Sequence, residues 1–172
     1  MCLFLLMALV LEGSANPAGQ WKGKGVVDGV AYSITDTRAV FEVGANKWLV
    51  TWEPDGAGRL VVKLDFSVGT ASGHTSLKHS WSDDGSPFIT FGYYTEKAEP
   101  NHRWSHSVQI DGNPVLTCRW DNDCRNKTIK QMAGGEKAIF QWGKAKEVYL
   151  LRGLRPALDF FYFKAGTERP YP

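Results

Sequence analysis

Cysteine and histidine are scarce in this sequence, and neither positive nor negative charge is in large excess. Its 172 residues include three cysteines and four histidines, and the formal net charge is only +2 at pH 7. Lysines and arginines are spread thinly, which indicates neither a nucleic-acid-binding tract nor a polybasic membrane patch. We therefore expect no nucleic-acid partner. The hydrophobic content of 43% is enough for the core of one domain.

Long apolar runs are also absent, apart from one at the start of the chain. Residues 2–11 are apolar, but a bilayer span needs roughly 20 such residues. The small residues Gly13, Ser14 and Ala15 follow the run, as is typical of a signal-peptide cleavage site, although no Lys or Arg precedes Lys22. The sequence thus predicts a signal peptide over 1–15, with an uncleaved N-terminal anchor as the alternative. Residues 16–172 are then one periplasmic or secreted domain, with no stable membrane span after cleavage.

Only Cys118 and Cys124 remain once the signal peptide is removed. In an oxidising compartment they are expected to form a disulfide, and closing so short a loop would contribute about 2.4 kcal/mol. Free thiols are one alternative. A metal site or a redox pair is another, although a metal would need two further ligands and a redox pair usually has Cys-x-x-Cys spacing.

Alternation of apolar and polar residues with a period of two predicts β-strands along most of the chain. The clearest hairpin has Trp48, Val50 and Trp52 on one face of its first strand, and a turn at 54–56 in which Gly56 takes a positive φ. Similar strands recur every 8–12 residues or so, as in sandwiches. The predicted fold is all-β or mainly β, an antiparallel β-sandwich with two short helices near its C-terminal end.

The two helices are predicted from local signals. Asn126 is suited to cap a helix over 127–133, which Gly134 and Gly135 would end. Pro156 is suited to the first position of the last helix, and the tail 164–172 is expected to be frayed.

No metal or cofactor site is predicted. His102 and His106 have the spacing of two ligands on one strand face, but no third ligand completes a zinc set. Residues 121–132 begin like a calcium loop, yet Arg125 occupies a ligand position. His79 and His106 fall on apolar faces, where hydrogen-bonded structural histidines are expected.

Two other motif-like segments also fail on inspection. Residues 21–25 lack the earlier glycine and the Ser or Thr of a phosphate-binding loop, and residues 69–73 lack the spacing of a nucleophile elbow. No catalytic residue is predicted. The seven tryptophans are expected mostly in the core, although exposed aromatic side chains would suit a carbohydrate-binding face.

The C-terminal third of the chain resembles the invasion-associated locus B family of bacterial exported proteins. The similarity lies in Val108-Gln-Ile-Asp-Gly112, Cys118-x5-Cys124, a short amphipathic helix, Gly135-Glu-Lys-Ala-Ile139 and Leu151-Arg-Gly-Leu-Arg-Pro-Ala-Leu-Asp159. Leu154 stands where the family has Phe, and the amino-terminal half lacks the further cysteine pair of many members. Type VI secretion accessory proteins with a comparable ending are a related possibility. The resemblance implies a small exported β-sandwich linked to the envelope or to host cells, with Cys118 and Cys124 as a matched pair.

These observations predict an exported, non-enzymatic protein that acts on a protein or cell-envelope component. A carbohydrate-binding module using exposed aromatics is the alternative, and a hydrolase using Asp and His residues in loops is the third. The binding surface is expected on irregular loops within 69–101.

Overall fold

The computed structural model describes residues 21–66, 74–94, 105–119, 122–142 and 145–172. The predicted signal peptide, residues 143–144 and the segments 69–73 and 95–101 lie outside the described residues. The strands and helices, in chain order, are β1 (Lys24–Val27), β2 (Val30–Ile34), β3 (Arg38–Val43), β4 (Asn46–Pro54), β5 (Leu60–Asp65), β6 (His74–Trp81), β7 (Pro87–Tyr94), β8 (Ser105–Ile110), β9 (Leu116–Arg119), α1 (Asn122–Gly134), β10 (Lys137–Trp142), β11 (Ala145–Leu150) and α2 (Leu154–Ala165).

The mainly β fold with two helices near the C-terminus is confirmed. Strands β1 to β7 form an antiparallel sheet in which each strand pairs with its neighbour in the chain. A second antiparallel sheet has the order β11-β10-β8-β9. Helix α2 packs on β3, β4 and β5, while α1 packs on β8, β9 and α2.

The core is continuous from the larger sheet through α2 to the smaller sheet. Alternate residues of β4 point inward, so Trp48, Val50 and Trp52 are buried as the period-two pattern predicts. From α2, Phe160 contributes a ring 5.5 Å from that of Trp52. One face of α2 points inward, since the following side chains are buried: Ala157, Leu158, Phe160 and Phe161.

Two local predictions were wrong. In the β4–β5 turn the positive φ belongs to Gly58, at 77°, because Asp55 accepts hydrogen bonds from the backbone N–H groups of Ala57 and Arg59 and closes a longer turn. Helix α1 begins at Asn122, so Asn126 lies within it instead of capping it. By contrast, residues 74–94 form the β6–β7 hairpin, as the recurring alternation predicts.

The C-terminal tail is ordered, contrary to the prediction that it would be frayed. Gly166 has a left-handed φ of 65° and ends α2, which turns the chain back along the helix. Tyr171 is buried at 7% exposure, and the guanidinium of Arg155 donates a 2.6 Å hydrogen bond to the carbonyl oxygen of Pro172. The aromatic contact of Tyr171 with Tyr162 adds apolar burial that composition alone does not indicate.

Candidate functional site

A groove of about 390 Å³ lies where β7, the first turns of α1 and the C-terminal tail meet. This volume is within the usual range for small-ligand pockets. The groove is lined by residues from four regions of the chain: His79 in β6; Pro87, Phe88 and Ile89 in β7; Asn122, Arg125 and Asn126 in α1; and Tyr162, Thr167, Glu168, Arg169 and Pro170 in α2 and the tail.

The cysteine pair fixes the start of α1 beside this groove. The sulfur atoms of Cys118 and Cys124 lie at disulfide distance, and their Cα atoms are 5.5 Å apart, as the prediction requires. Cys118 is in β9 and Cys124 is in the first turn of α1, so the pair ties the helix to the smaller sheet. Neither cysteine lines the groove. The cysteine pair therefore has a structural role: it helps to position the first turn of α1, which carries Arg125.

Arg125 is the fixed cation of the groove. Its Nη1 donates to the carbonyl oxygen of Ile89 and, at 2.8 Å, to Oδ1 of Asn122. Its Nε and Nη2 both donate to Oδ1 of Asn126, at 3.3 Å and 3.1 Å. No carboxylate of the described residues lies within ion-pair distance of this guanidinium. These acceptors are neutral, so no described side chain compensates its charge.

Two buried polar side chains, His79 and Tyr162, face the groove without a hydrogen-bond partner among the described residues, and the hydroxyl of the half-buried Thr167 has none either. His79 is 1% exposed and neither ring nitrogen has a bond of acceptable geometry. The hydroxyl of Tyr162, a residue 3% exposed, also has no partner. A buried polar group without a partner costs about 1–3 kcal/mol, so such groups call for an explanation. The expectation that His79 would be a hydrogen-bonded structural histidine was wrong.

Burial shifts the protonation equilibria of His79, Tyr162 and Arg125 away from the charged form. It lowers the pKa of His79, opposed only in part by the nearby carbonyl of Leu60, which already accepts a 2.9 Å bond from the indole of Trp81. Burial also raises the pKa of Tyr162, and the adjacent positive charge of Arg125 counters that rise. The pKa of Arg125 is lowered by the same burial, but an arginine stays protonated in proteins. At neutral pH the groove thus presents Arg125, a cation without a counter-charge among the described residues, beside the neutral side chains of His79 and Tyr162.

The tail forms the opposite wall and is held by a buried carboxylate. Asp159 of α2 accepts a 2.6 Å hydrogen bond from Nη1 of Arg169 and a 2.9 Å bond from the hydroxyl of Tyr171. The Asp159 side chain is only 10% exposed, so its charge is balanced by Arg169 within the protein. Glu168 is exposed and is the one carboxylate among the residues that line the groove.

The other residues considered from the sequence do not gather here. His74 and His106 have side chains outside the described part of the chain, as does all of His102. Of the tryptophans, Trp21, Trp48 and Trp52 are buried. In the ranges that the structure describes, no group of three or more His, Cys, Asp or Glu side chains could hold a metal ion. Likewise, no helix there combines the length and apolar character needed to cross a membrane.

Arg125 was not predicted to line a groove, although one signal in the sequence points to its burial. Arg125, Ile129 and Met132 are spaced i, i+4 and i+7 and so share a face of α1, and the latter two are 0% and 1% exposed. A charged residue at the end of such a stripe lies against the protein instead of in solvent. Nothing in the sequence, however, placed β7 beside it.

Comparison of the chain with known protein families, with curated proteins and with solved structures found no match.

Proposed function

We propose that the protein is an exported, non-enzymatic interaction protein, similar to invasion-associated locus B proteins, and that it binds its partner at the groove between β7, α1 and the tail. The observation that carries the proposal is Arg125, a half-buried cation held by neutral acceptors beside two polar groups that have no partner among the described residues. Charge-complementary groups of this kind provide specificity and steer association. The cysteine pair at disulfide distance supports the assignment to an oxidising compartment, periplasmic or extracellular.

The rim of the groove suits a protein partner. Phe88 is 42% exposed at the edge of the groove, and exposed aromatic side chains are enriched in protein interfaces. It adjoins Ile89, whose carbonyl oxygen binds Arg125. An apolar contact at the rim and a cation inside the groove together make a surface that another protein can recognise.

The structure gives less support to the other two functions. A carbohydrate-binding face needs a row of exposed aromatics, whereas Trp21, Trp48 and Trp52 are buried and Trp81 is half-buried with the guanidinium of Arg59 over its ring at 5.8 Å. A hydrolase needs a positioned acid, base or nucleophile. The groove contains one histidine, His79, whose pKa is lowered, and one carboxylate, Glu168, which is exposed at the rim. No hydrogen bond joins these two described residues, so this pair gives little support to a hydrolase.

Site-specific photo-crosslinking in cells tests the proposal. A photoreactive amino acid at Phe88 should capture a defined envelope or secreted protein, whereas the same group at Val26, which is 70% exposed on β1, should not. The capture at Phe88 should be lost when Arg125→Gln is added and retained when Arg38→Gln is added. Arg38 is exposed on β3 and does not line the groove, so it controls for the loss of one positive charge. Equal capture from Phe88 and Val26, or no capture from Phe88, would overturn the proposal.

A further inference from the structure

The hydrogen-bonding capacity of Arg125 is almost used up, which restricts what the groove can bind. An arginine has five N–H groups, and four of those on Arg125 donate to Ile89, Asn122 and twice to Asn126. One N–H, on Nη2, is left over from these contacts with described residues. The guanidinium therefore brings a full positive charge but a single donor, which suits one carboxylate oxygen better than the several oxygens of a phosphate.

The groups around Arg125 extend this match. The hydroxyl of Tyr162 has no hydrogen-bond partner among the described residues, and Tyr162 lines the groove together with Arg125. A hydroxyl can donate to the second carboxylate oxygen, and a neutral imidazole at His79 can donate from one ring nitrogen. Both residues are almost completely buried, with exposures of 3% for Tyr162 and 1% for His79. In addition, Arg125 is in the first turn of the 13-residue helix α1, where the backbone dipole favours an anion.

The remaining walls are apolar. Pro87, Ile89 and Pro170 line the groove next to the polar groups, and the volume of about 390 Å³ leaves space beyond a carboxylate. A ligand that consists of a charged group alone would leave this apolar surface exposed to water. Glu168 at the rim disfavours a second negative charge on the ligand.

We propose that the groove binds a carboxylate carried on an apolar group, with Arg125 and Tyr162 contacting the carboxylate and the walls of β7 and the tail contacting the apolar part. This inference rests on the proposed function and names the chemistry recognised at the same site. Such a carboxylate occurs at the C-terminus of a polypeptide that ends in an apolar residue, and also on a free small acid.

Titration of the purified full chain with matched acids and amides tests the inference. N-acetyl-leucine should bind, measured by calorimetry or by shifts in protein NMR signals, and N-acetyl-leucinamide should bind about tenfold more weakly or not at all because it lacks the charge. A tripeptide that ends in a free leucine carboxylate should likewise exceed its C-terminal amide. Tighter binding of the tripeptide than of N-acetyl-leucine identifies a polypeptide C-terminus as the source, and equal binding identifies a free acid.

Variants locate the binding. Arg125→Gln should weaken N-acetyl-leucine by about tenfold or more, and Tyr162→Phe should weaken it by about threefold to tenfold. Arg38→Gln should have no effect. Tyr162→Phe removes only a hydroxyl without a described partner, so its thermal unfolding checks that the groove remains intact.

Equal binding of acid and amide, or equal affinities of the Arg125→Gln and Arg38→Gln variants, would overturn the inference. So would the absence of binding by every acid tested. Because capture from Phe88 does not depend on these probes, it can succeed while the acids fail. The carboxylate inference and the interaction function therefore fail separately.

Discussion

The indole N–H of Trp48 donates a 3.1 Å hydrogen bond to the carbonyl oxygen of Arg152. Trp48 is in β4 of the larger sheet, and Arg152 is in the turn that leads from β11 into α2. The amide of Asn46 donates to the same carbonyl at 3.2 Å and to that of Leu150. These bonds join residues more than a hundred positions apart. They fix where α2 begins and therefore where Tyr162 and the tail stand.

Gly153, next to Arg152 in this turn, should not tolerate replacement by a residue with a side chain. Its φ is 81°, and an added Cβ would lie 2.5 Å from Cγ1 of Val43. We expect Gly153→Ala to lower the free energy of unfolding by about 3 kcal/mol, since a left-handed backbone costs ~1–2 kcal/mol in a residue other than glycine and the steric overlap adds to this. Chemical denaturation followed by far-UV circular dichroism measures the difference.

Gly166→Ala is the matched control for Gly153→Ala. Gly166 has a similar φ of 65°, but a Cβ added there would meet no described atom within 4 Å. Its replacement should therefore cost only the backbone part, about 1–2 kcal/mol. If the two substitutions lower the free energy of unfolding equally, the close approach of residue 153 to Val43 does not contribute to the destabilisation.

The predicted pairing of Cys118 with Cys124 can be measured directly. Intact mass spectrometry of protein prepared without reductant should give a mass two hydrogens below that of the reduced protein, with neither cysteine alkylated. Replacing both cysteines with alanine should lower the free energy of unfolding by about 2.4 kcal/mol on the chain-entropy account. Alkylation of either thiol in the unreduced, denatured protein would contradict the pairing.

The tail should depend on the buried pair Asp159–Arg169. We expect Arg169→Gln to destabilise the protein by about 1–3 kcal/mol, because it leaves the carboxylate of Asp159 with only the hydroxyl of Tyr171 as a described partner. Proteolysis within 166–172 should become faster at the same time. Arg155→Gln removes the exposed bond to Pro172 and the contact of the guanidinium with the ring of Tyr171 at 5.8 Å, and it should cost about 1 kcal/mol, less than Arg169→Gln. A larger effect at Arg155 than at Arg169 would show that the buried pair does not hold the tail.

The sheet was more predictable than the groove, for a physical reason. The alternation in β4 and β5 is a local signal, since burying one face of a strand requires every second residue to be apolar. Strand β1 was missed because Lys24 and Gly25 do not alternate in this way, although Trp21 just before it packs against Phe41 and Phe160. The start of α1 was misplaced because the sequence pattern assigned a capping role to Asn126, whereas its side chain accepts hydrogen bonds from Arg125 within the helix.

The groove depends on contacts between distant segments, which sequence patterns do not encode. Alternation correctly placed His79 on the inner face of β6, but only the fold brings it to Tyr162 and the tail. The frayed tail was predicted from its polar composition. Its order comes in part from the bonds of Arg169 and Tyr171 to the carboxylate of Asp159. This charged residue lies on a helix whose buried residues are otherwise mostly apolar, and that exception in the pattern was visible in the sequence.

His79 should make the protein less stable in mild acid. Burial lowers its pKa below the usual 6.5, so below pH 6.5 the unfolded chain binds a proton that the folded protein does not. The free energy of unfolding must then fall as the pH drops through 6.5, and it levels off below the folded pKa. The carbonyl of Leu60 opposes this lowering of the pKa only in part. Asp55 and Asp84 have lowered pKa values as well, but these act only near and below the ordinary value of 3.8.

The difference between the wild type and His79→Leu isolates this histidine from the other three. Leucine cannot titrate and leaves no buried polar atom without a partner, so at pH 7.5 the variant should be at least as stable as the wild type. Between pH 7.5 and pH 5 the wild type should lose more stability than the variant, as measured by urea unfolding at each pH. Parallel pH profiles would mean that His79 does not resist protonation in the folded protein. They would also remove the argument that a neutral imidazole lines the groove.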